Sequence, residues 1–359
     1  MAGQPLPADE SQTKAEPLAT AATSALGIRV PLLQAPVGSA TSIELAAAVS
    51  EAGALGMLAL TWRTVSDIRR MLRETAALTS RPFAVNLVLE WDMRERLEAC
   101  LEEGVRLVSF FWGDPAPYVP AVHDTGGVVL HTVGSVAEAQ QAVAAGVDVL
   151  IAQGAEAGGH VRGTVSTMVL VPSIIDAVGE SVPVIAAGGI ADGRGLAAAL
   201  MLGAAGVMIG TRFLLAEEAD VHPVYTEALC HAVAEDAVYT TLFEEGWPNA
   251  PHRILANSTL REWEAAGSPP KGSRPGEGEP VAWLAGTPLL RYSDTIPTRS
   301  TDGAVGQLAM YAGQSVGLVR RREPAAAIVE TIRGQALEAL VRWEHTIATA
   351  GRTASCSPR

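Results

Sequence analysis

Pro183-Val184-Ile185-Ala186-Ala187-Gly188-Gly189-Ile190, then a helix pattern over Arg194–Leu202, then Val207-Met208-Ile209-Gly210-Thr211, is the stretch that decides the fold. An apolar run, a glycine turn, an amphipathic helix and a second apolar run make one βαβ unit. Runs that are apolar throughout suit strands buried on both faces of a parallel sheet. The same rhythm extends back to residue 28. Apolar runs at Val30–Ala35, Leu55–Leu60, Phe83–Leu87, Arg106–Phe110, Gly127–Leu130 and Val149–Ala152 alternate with helix patterns. Those patterns cover Ser42–Ala52, Val65–Leu78, Met93–Glu103, Ser135–Ala145 and Thr167–Val178, with a shorter, proline-interrupted connection over 116–125. Thr41 and Ser135 stand where N-caps are expected. Eight such runs within about 180 residues predict an α/β protein with a closed (β/α)₈ TIM barrel over 28–214.

After Arg212 the rhythm stops. Residues 222–240, Asp302–Arg320 and Ala325–Thr346 read as helices, and 265–280 is a Gly/Pro-rich loop without periodicity. The expected organisation is a disordered tail over 1–27, the barrel, a smaller and mostly helical lobe over 215–320 above the barrel mouth, and a C-terminal helix and tail over 321–359.

The chain has 359 residues, with 39 Asp and Glu against 26 Lys and Arg, a net charge of −13. Phosphate backbones repel such a chain, and no basic run offsets this, so nucleic-acid binding of the ordinary basic kind is excluded. Hydrophobic residues at 48% against charged residues at 18% supply a large core. No uninterrupted apolar stretch of about 18 residues reads as a membrane span. Cys100, Cys230 and Cys356 share neither a pairing nor a metal spacing, so a reduced, cytoplasmic protein is expected.

In a barrel of this kind the loops after the strands carry the chemistry. Gly188-Gly189 and Gly210-Thr211 follow the seventh and eighth runs, where glycines turn backbone N–H groups toward a phosphate or simply make tight turns. Asn86 lies near the end of the third run and Gln153 follows the sixth; their amides can meet a heterocycle edge. Gly154, Gly158, Gly159 and Gly163 let the backbone approach a flat ligand closely. His160, among them, is a candidate base or a hydrogen-bonded structural histidine. His131 is a weaker candidate at the mouth, and His222 and His231 read as structural or solvated. Glu156 reads as a solvated or helix-facing charge. Trp62, Trp91 and Trp112, each after a strand, are candidate walls or packing residues. Gly193-Arg194-Gly195 resembles a dinucleotide fingerprint but does not follow a strand end, and no zinc, Walker A or nucleophile-elbow motif is present.

The runs Ala152-Gln153-Gly154-Ala155-Glu156-Ala157-Gly158-Gly159-His160, Pro183–Ile190 and Met208-Ile209-Gly210-Thr211-Arg212-Phe213-Leu214 resemble the nitronate monooxygenase family. The resemblance extends through Gln34-Ala35-Pro36, Pro82-Phe83-Ala84-Val85-Asn86 and Met310-Tyr311-Ala312-Gly313-Gln314-Ser315. It implies an FMN-dependent barrel enzyme that oxidises alkyl nitronates or nitroalkanes with O2 to a carbonyl compound and nitrite. It further implies His160 as base, flavin contacts from Asn86, Gln153 and Gly158, and a phosphate held by Gly189 and Met208-Ile209-Gly210-Thr211. The related flavin-dependent enoyl-acyl-carrier-protein reductases, which use NAD(P)H, are the alternative.

Overall fold

The computed structural model describes residues 18–354. Eight parallel strands form one sheet: β1 (Leu32–Gln34), β2 (Gly56–Ala59), β3 (Phe83–Val88), β4 (Leu107–Phe111), β5 (Val128–Val133), β6 (Val149–Gln153) and, beyond a two-residue strand β7 (Gly159–His160) outside this sheet, β8 (Val184–Ala187) and β9 (Gly206–Ile209). Their order is β1-β9-β8-β6-β5-β4-β3-β2, and a parallel bridge between Leu33 and Leu55 joins the two ends into the expected barrel. Gln34 staples that closing seam, its Oε1 accepting the Met57 N–H at 3.0 Å.

Helices between the strands form the outer ring: α2 (Ile43–Glu51), α3 (Val65–Leu78), α4 (Arg94–Glu102), α5 (Val119–His123), α6 (Val136–Ala144), α7 (Thr167–Val178) and α8 (Gly193–Met201). Ser135 caps α6 as expected, whereas Ser42, not Thr41, caps α2 by accepting the Leu45 N–H at 2.9 Å. Thr41 instead accepts the Val37 N–H at 2.9 Å and so ties the loop after β1. A side-chain cap of this type stabilises a helix by about 1 kcal/mol.

Strand side chains alternate between two apolar layers. Leu33, Met57, Ala84, Leu107, Leu130, Ile151 and Ile185 fill the barrel interior. Leu58, Val85, Val108, Val129, Leu150 and Val207 face the helices. The interior core continues into Ala22 and Leu26 of α1 (Ala21–Leu26). Residues 18–27 therefore fold, contrary to the expected tail: Leu18 is buried, and the Thr20 hydroxyl donates to the Ala205 carbonyl at 2.6 Å. The rest of that expected tail, 1–17, lies outside the described residues.

The segment after β9 differs from a mostly helical lobe. It holds α9 (Pro223–His231) and α10 (Ser258–Ala265), but also β10 (Ala237–Thr240) and β11 (His252–Leu255), with β12 (Pro280–Leu284), β13 (Thr287–Leu290) and β14 (Thr301–Gly303) as a second small sheet. The expected helix over 222–240 stops at His231, because Ala237-Val238-Tyr239-Thr240 pairs with β11. No α-helix forms over 302–320, where glycines at 303, 306, 313 and 317 interrupt helical propensity. There Tyr311 bridges Ile254, and the Leu255 N–H bonds the Met310 carbonyl at 2.8 Å.

The chain then returns as α11 (Ala325–Ala354), which packs against α8 and α2 and supplies the barrel's missing outer helix. Gly193 permits this approach, since a Cβ there would lie 2.3 Å from the Ala336 nitrogen. Its place in the Gly-x-Gly run is thus a helix-packing matter. Among the described residues no helix is long and apolar enough to cross a membrane.

Candidate active site

At the C-terminal ends of the strands the inward-facing side chains stop meeting one another. Ala59, Asn86, Ser109, Thr132, Gln153, Ala187 and Met208 become the floor of a cavity of about 400 Å³. The loops after the strands wall it, and Trp247, Asp294, Ile296, Tyr311 and Ser315 of the lobe roof it. Alternation decides which neighbours reach it. On β5 Thr132 lines the cavity while His131 does not. His131 is buried, with its proton affinity pushed down to about 4 by that burial.

Of the residues singled out in the sequence, Asn86, Gln153, Gly158, His160, Gly189, Met208, Gly210 and Thr211 all border this one space. Ile209 does not: its side chain faces the helix layer, and its carbonyl accepts the Ala35 N–H at 2.8 Å. Asn86 is held by its Nδ2, which donates to the Ser109 carbonyl at 3.2 Å and the Ser109 hydroxyl at 3.3 Å. Gln153 Nε2 donates to the His160 carbonyl at 3.1 Å, while its Oε1 is buried with no hydrogen-bond partner among the described residues.

His160 is clamped through its backbone. Strand β7 pairs antiparallel with β11, which sets His160 opposite His252, and the Val161 N–H bonds the Pro251 carbonyl at 2.9 Å. The imidazole stacks on Trp247, centroids 4.2 Å apart, and neighbours His252 at 5.4 Å and Tyr311 at 5.6 Å. Its Nε2 has no partner among the described residues. Burial, then the nearby His252, push its proton affinity down to about 3. The ring is therefore neutral at pH 7 and able to accept a proton.

His252 is held as a neutral ring by its own bonds. Nδ1 sits 2.9 Å from the Ala250 carbonyl, and Nε2 accepts the Phe243 N–H at 3.3 Å. Glu156 is helix-facing: both carboxylate oxygens accept the Thr167 N–H at the start of α7, at 3.1 and 2.9 Å. His222 caps α9, its Nδ1 accepting the Val224 N–H at 3.1 Å. Among the tryptophans, Trp62 lines the cavity, whereas Trp91 and Trp112 pack on Trp247. Nothing in the local sequence around Trp247, His252 and Tyr311 marks them as site residues. Each lies outside the βα rhythm: the pairing of β7 with β11 brings His252 to His160, and the Ile254–Tyr311 bridge on the same strand brings Tyr311.

Comparison with known proteins adds the family. The model of the nitronate monooxygenase family matches residues 19–95 and 90–333. The chain belongs to the nitronate monooxygenase family. A nitronate monooxygenase of Paraburkholderia phytofirmans is 33% identical over 353 residues, covering 85% of this chain and 91% of that one. A Mycobacterium tuberculosis protein named (3aS,4S,5R,7aS)-5-hydroxy-7a-methyl-1-oxo-octahydro-1H-indene-4-carboxyl-CoA dehydrogenase is 38% identical over 250 residues, 69% of each chain. The solved structure of FabK from Thermotoga maritima superposes with a TM-score of 0.75 at 32% identity, covering 91% of this chain and 99% of that one. As a member of the nitronate monooxygenase family the protein is an oxidoreductase.

A flavin is the cofactor this membership implies, and the residues present fit one. The Gln153 Oε1 atom is the kind of buried, unpaired group that a polar heterocycle satisfies. The backbone at Gly188 and Gly189 takes φ values of 99° and 74°, a turn that leaves that rim free of side chains. At Gly158 a Cβ would lie 2.3 Å from the Gly313 nitrogen, so only glycine lets the histidine loop lie against the lobe.

Proposed function

We propose that this enzyme oxidises alkyl nitronates, and nitroalkanes through their nitronates, with molecular oxygen to a carbonyl compound and nitrite, with FMN as cofactor and His160 taking the α-proton of the neutral nitroalkane. The observation that carries the reading is the unpartnered Nε2 of His160 in the wall of a cavity floored by Asn86 and Gln153. When bound, FMN supplies the electron transfer and the reaction with O2 that no side chain here offers.

This chain's residues do the rest. Asn86 and Gln153 would meet the edge of the ring system, and Gly158 would leave room beside it. Gly189, Met208, Gly210 and Thr211 would hold the phosphate, whereas Ile209, paired with β1 and off the cavity, would only space Met208 from Gly210. The Thr211 hydroxyl accepts the Gly313 N–H at 3.0 Å, which orients it and leaves its O–H free to donate to the phosphate. The neutral imidazole accepts the α-proton of a nitroalkane, or holds the nitronate once formed. An anionic nitronate beside Nε2 favours the protonated ring and so opposes the effect of burial. Free thiols at Cys100 and Cys230 fit a reducing, cytoplasmic setting.

A second reading, dehydrogenation of a coenzyme A thioester, draws support from the 38% identity to the mycobacterial dehydrogenase. The visible spectrum of the purified protein, followed by anaerobic mixing with a nitronate, an acyl-CoA and a nicotinamide in separate runs, tests these readings. Flavin bands that bleach with the nitronate support the proposal. Bleaching by the thioester alone favours the second reading, and fast bleaching by NADH or NADPH overturns both.

A further inference from the structure

Two tryptophans stand open to solvent, Trp62 in the cavity wall and Trp91 packed on its outer side. Trp62, after β2, is 53% exposed, and Trp91, after β3, is 36% exposed. They are not scattered surface residues. Trp62 lies 5.8 Å from Trp91 at 68° and 6.2 Å from Trp247 at 56°, and Trp91 lies 5.4 Å from Trp247 at 59°. Inclined ring pairs of this kind fix one another, so the outer surfaces of the cluster are preformed. The cluster also carries strain. Trp112 has a φ of 64°, costly for a bulky side chain, and its indole packs 4.9 Å from Trp247.

From the rim the aromatic surface runs inward without a break. Trp62 and Trp247 both line the cavity, and Trp247 stacks on His160. A contiguous apolar patch that continues into a cavity marks the resting place of an apolar ligand.

We infer that the Trp62–Trp91–Trp247 rim is a substrate subsite for a flat, ring-bearing apolar group attached to the carbon that reaches His160. The inference rests on the reading of His160 as the reacting end of the cavity. Continuity of the cluster with the cavity argues for substrate rather than a second copy of this chain as its occupant.

The test compares the nitronates of nitroethane and (2-nitroethyl)benzene on the flavin-loaded enzyme, W62A and W62F. Trp62 is exposed, so neither variant threatens folding. The ring-bearing nitronate should show a kcat/KM about tenfold above that of nitroethane, the scale of one aromatic contact. W62A should bring that ratio close to one, and W62F should keep most of it. Calorimetric titration of the anaerobic protein with (2-nitroethyl)benzene should show a Kd about tenfold weaker in W62A. Equal kcat/KM for the two nitronates in the parent enzyme, or a ratio unmoved by W62A, overturns the subsite. A fall in oligomeric size in W62A with the ratio unmoved makes the patch an interface between copies and overturns it too. Absence of any nitronate turnover, with binding of the ring compound still dependent on Trp62, removes the proposed reaction and leaves the subsite supported.

Discussion

Trp247 and His160 lie ring over ring, with centroids 4.2 Å apart and planes inclined by 32°. One comes from the lobe and the other from the barrel loop after β6, so the stack is where the two parts of the chain meet over the cavity. Trp247 is almost fully buried among Phe111, Trp112 and Trp91 as well. It fixes the plane in which the imidazole presents its Nε2.

Truncating that indole should therefore cost both stability and activity. W247A removes a buried aromatic, which destabilises a protein by about 3–5 kcal/mol. Urea denaturation should show this loss, and kcat should fall because the imidazole loses its wall. W247F, which keeps a ring in place, should recover most of both.

The contact between the loop of Gly158 and the lobe at Gly313 makes a sharper packing test. G158A drives a methyl group to 2.3 Å from the Gly313 nitrogen and 2.5 Å from the Ala312 carbonyl carbon, both backbone atoms. Overpacking of this kind costs about 1–3 kcal/mol. G334A on α11 is the opposite case, since no atom stands within 4 Å of the added carbon. Ala in place of Gly inside a helix should raise stability by about 0.5–1 kcal/mol. Denaturation midpoints of the two variants should move in opposite directions.

Acid should weaken the fold through its buried histidines. His131 binds its proton only near pH 4 when folded, against about 6.5 when unfolded. Below pH 6.5 the unfolded chain thus takes up the proton first. The stability present above that pH is lost progressively down to about pH 4, at about 1.4 kcal/mol per pH unit for this one residue. His160 acts in the same direction. Denaturation curves between pH 7 and pH 4.5 should show a shallower decline for H131N than for the parent chain.

The barrel is legible in the sequence because its strands are buried on both faces and therefore apolar throughout, and because glycines mark their ends. The cavity floor is legible for a related reason. Asn86 interrupts the otherwise apolar β3 and Gln153 closes the apolar β6, and β-alternation turns both inward. The lobe is far less legible. Ala237–Thr240 continues a helical-looking stretch and becomes a strand only by pairing with His252–Leu255. The stretch that carries Tyr311 looks amphipathic, yet it lies extended against β11. Leu26 and Ala22 sit in a segment whose composition reads as a tail, but they find a place in the interior core. In each case a distant partner decides the local structure, and no local pattern records the partner.

The proposed chemistry depends most on the imidazole of His160 facing the cavity with a free Nε2. Aerobic turnover of a neutral nitroalkane by H160N, with its flavin content read from the same sample, tests this directly. The account expects a flavin content equal to that of the parent enzyme and a turnover about 10²–10⁴-fold lower, the usual worth of acid–base help. Parent-like turnover in H160N would contradict it.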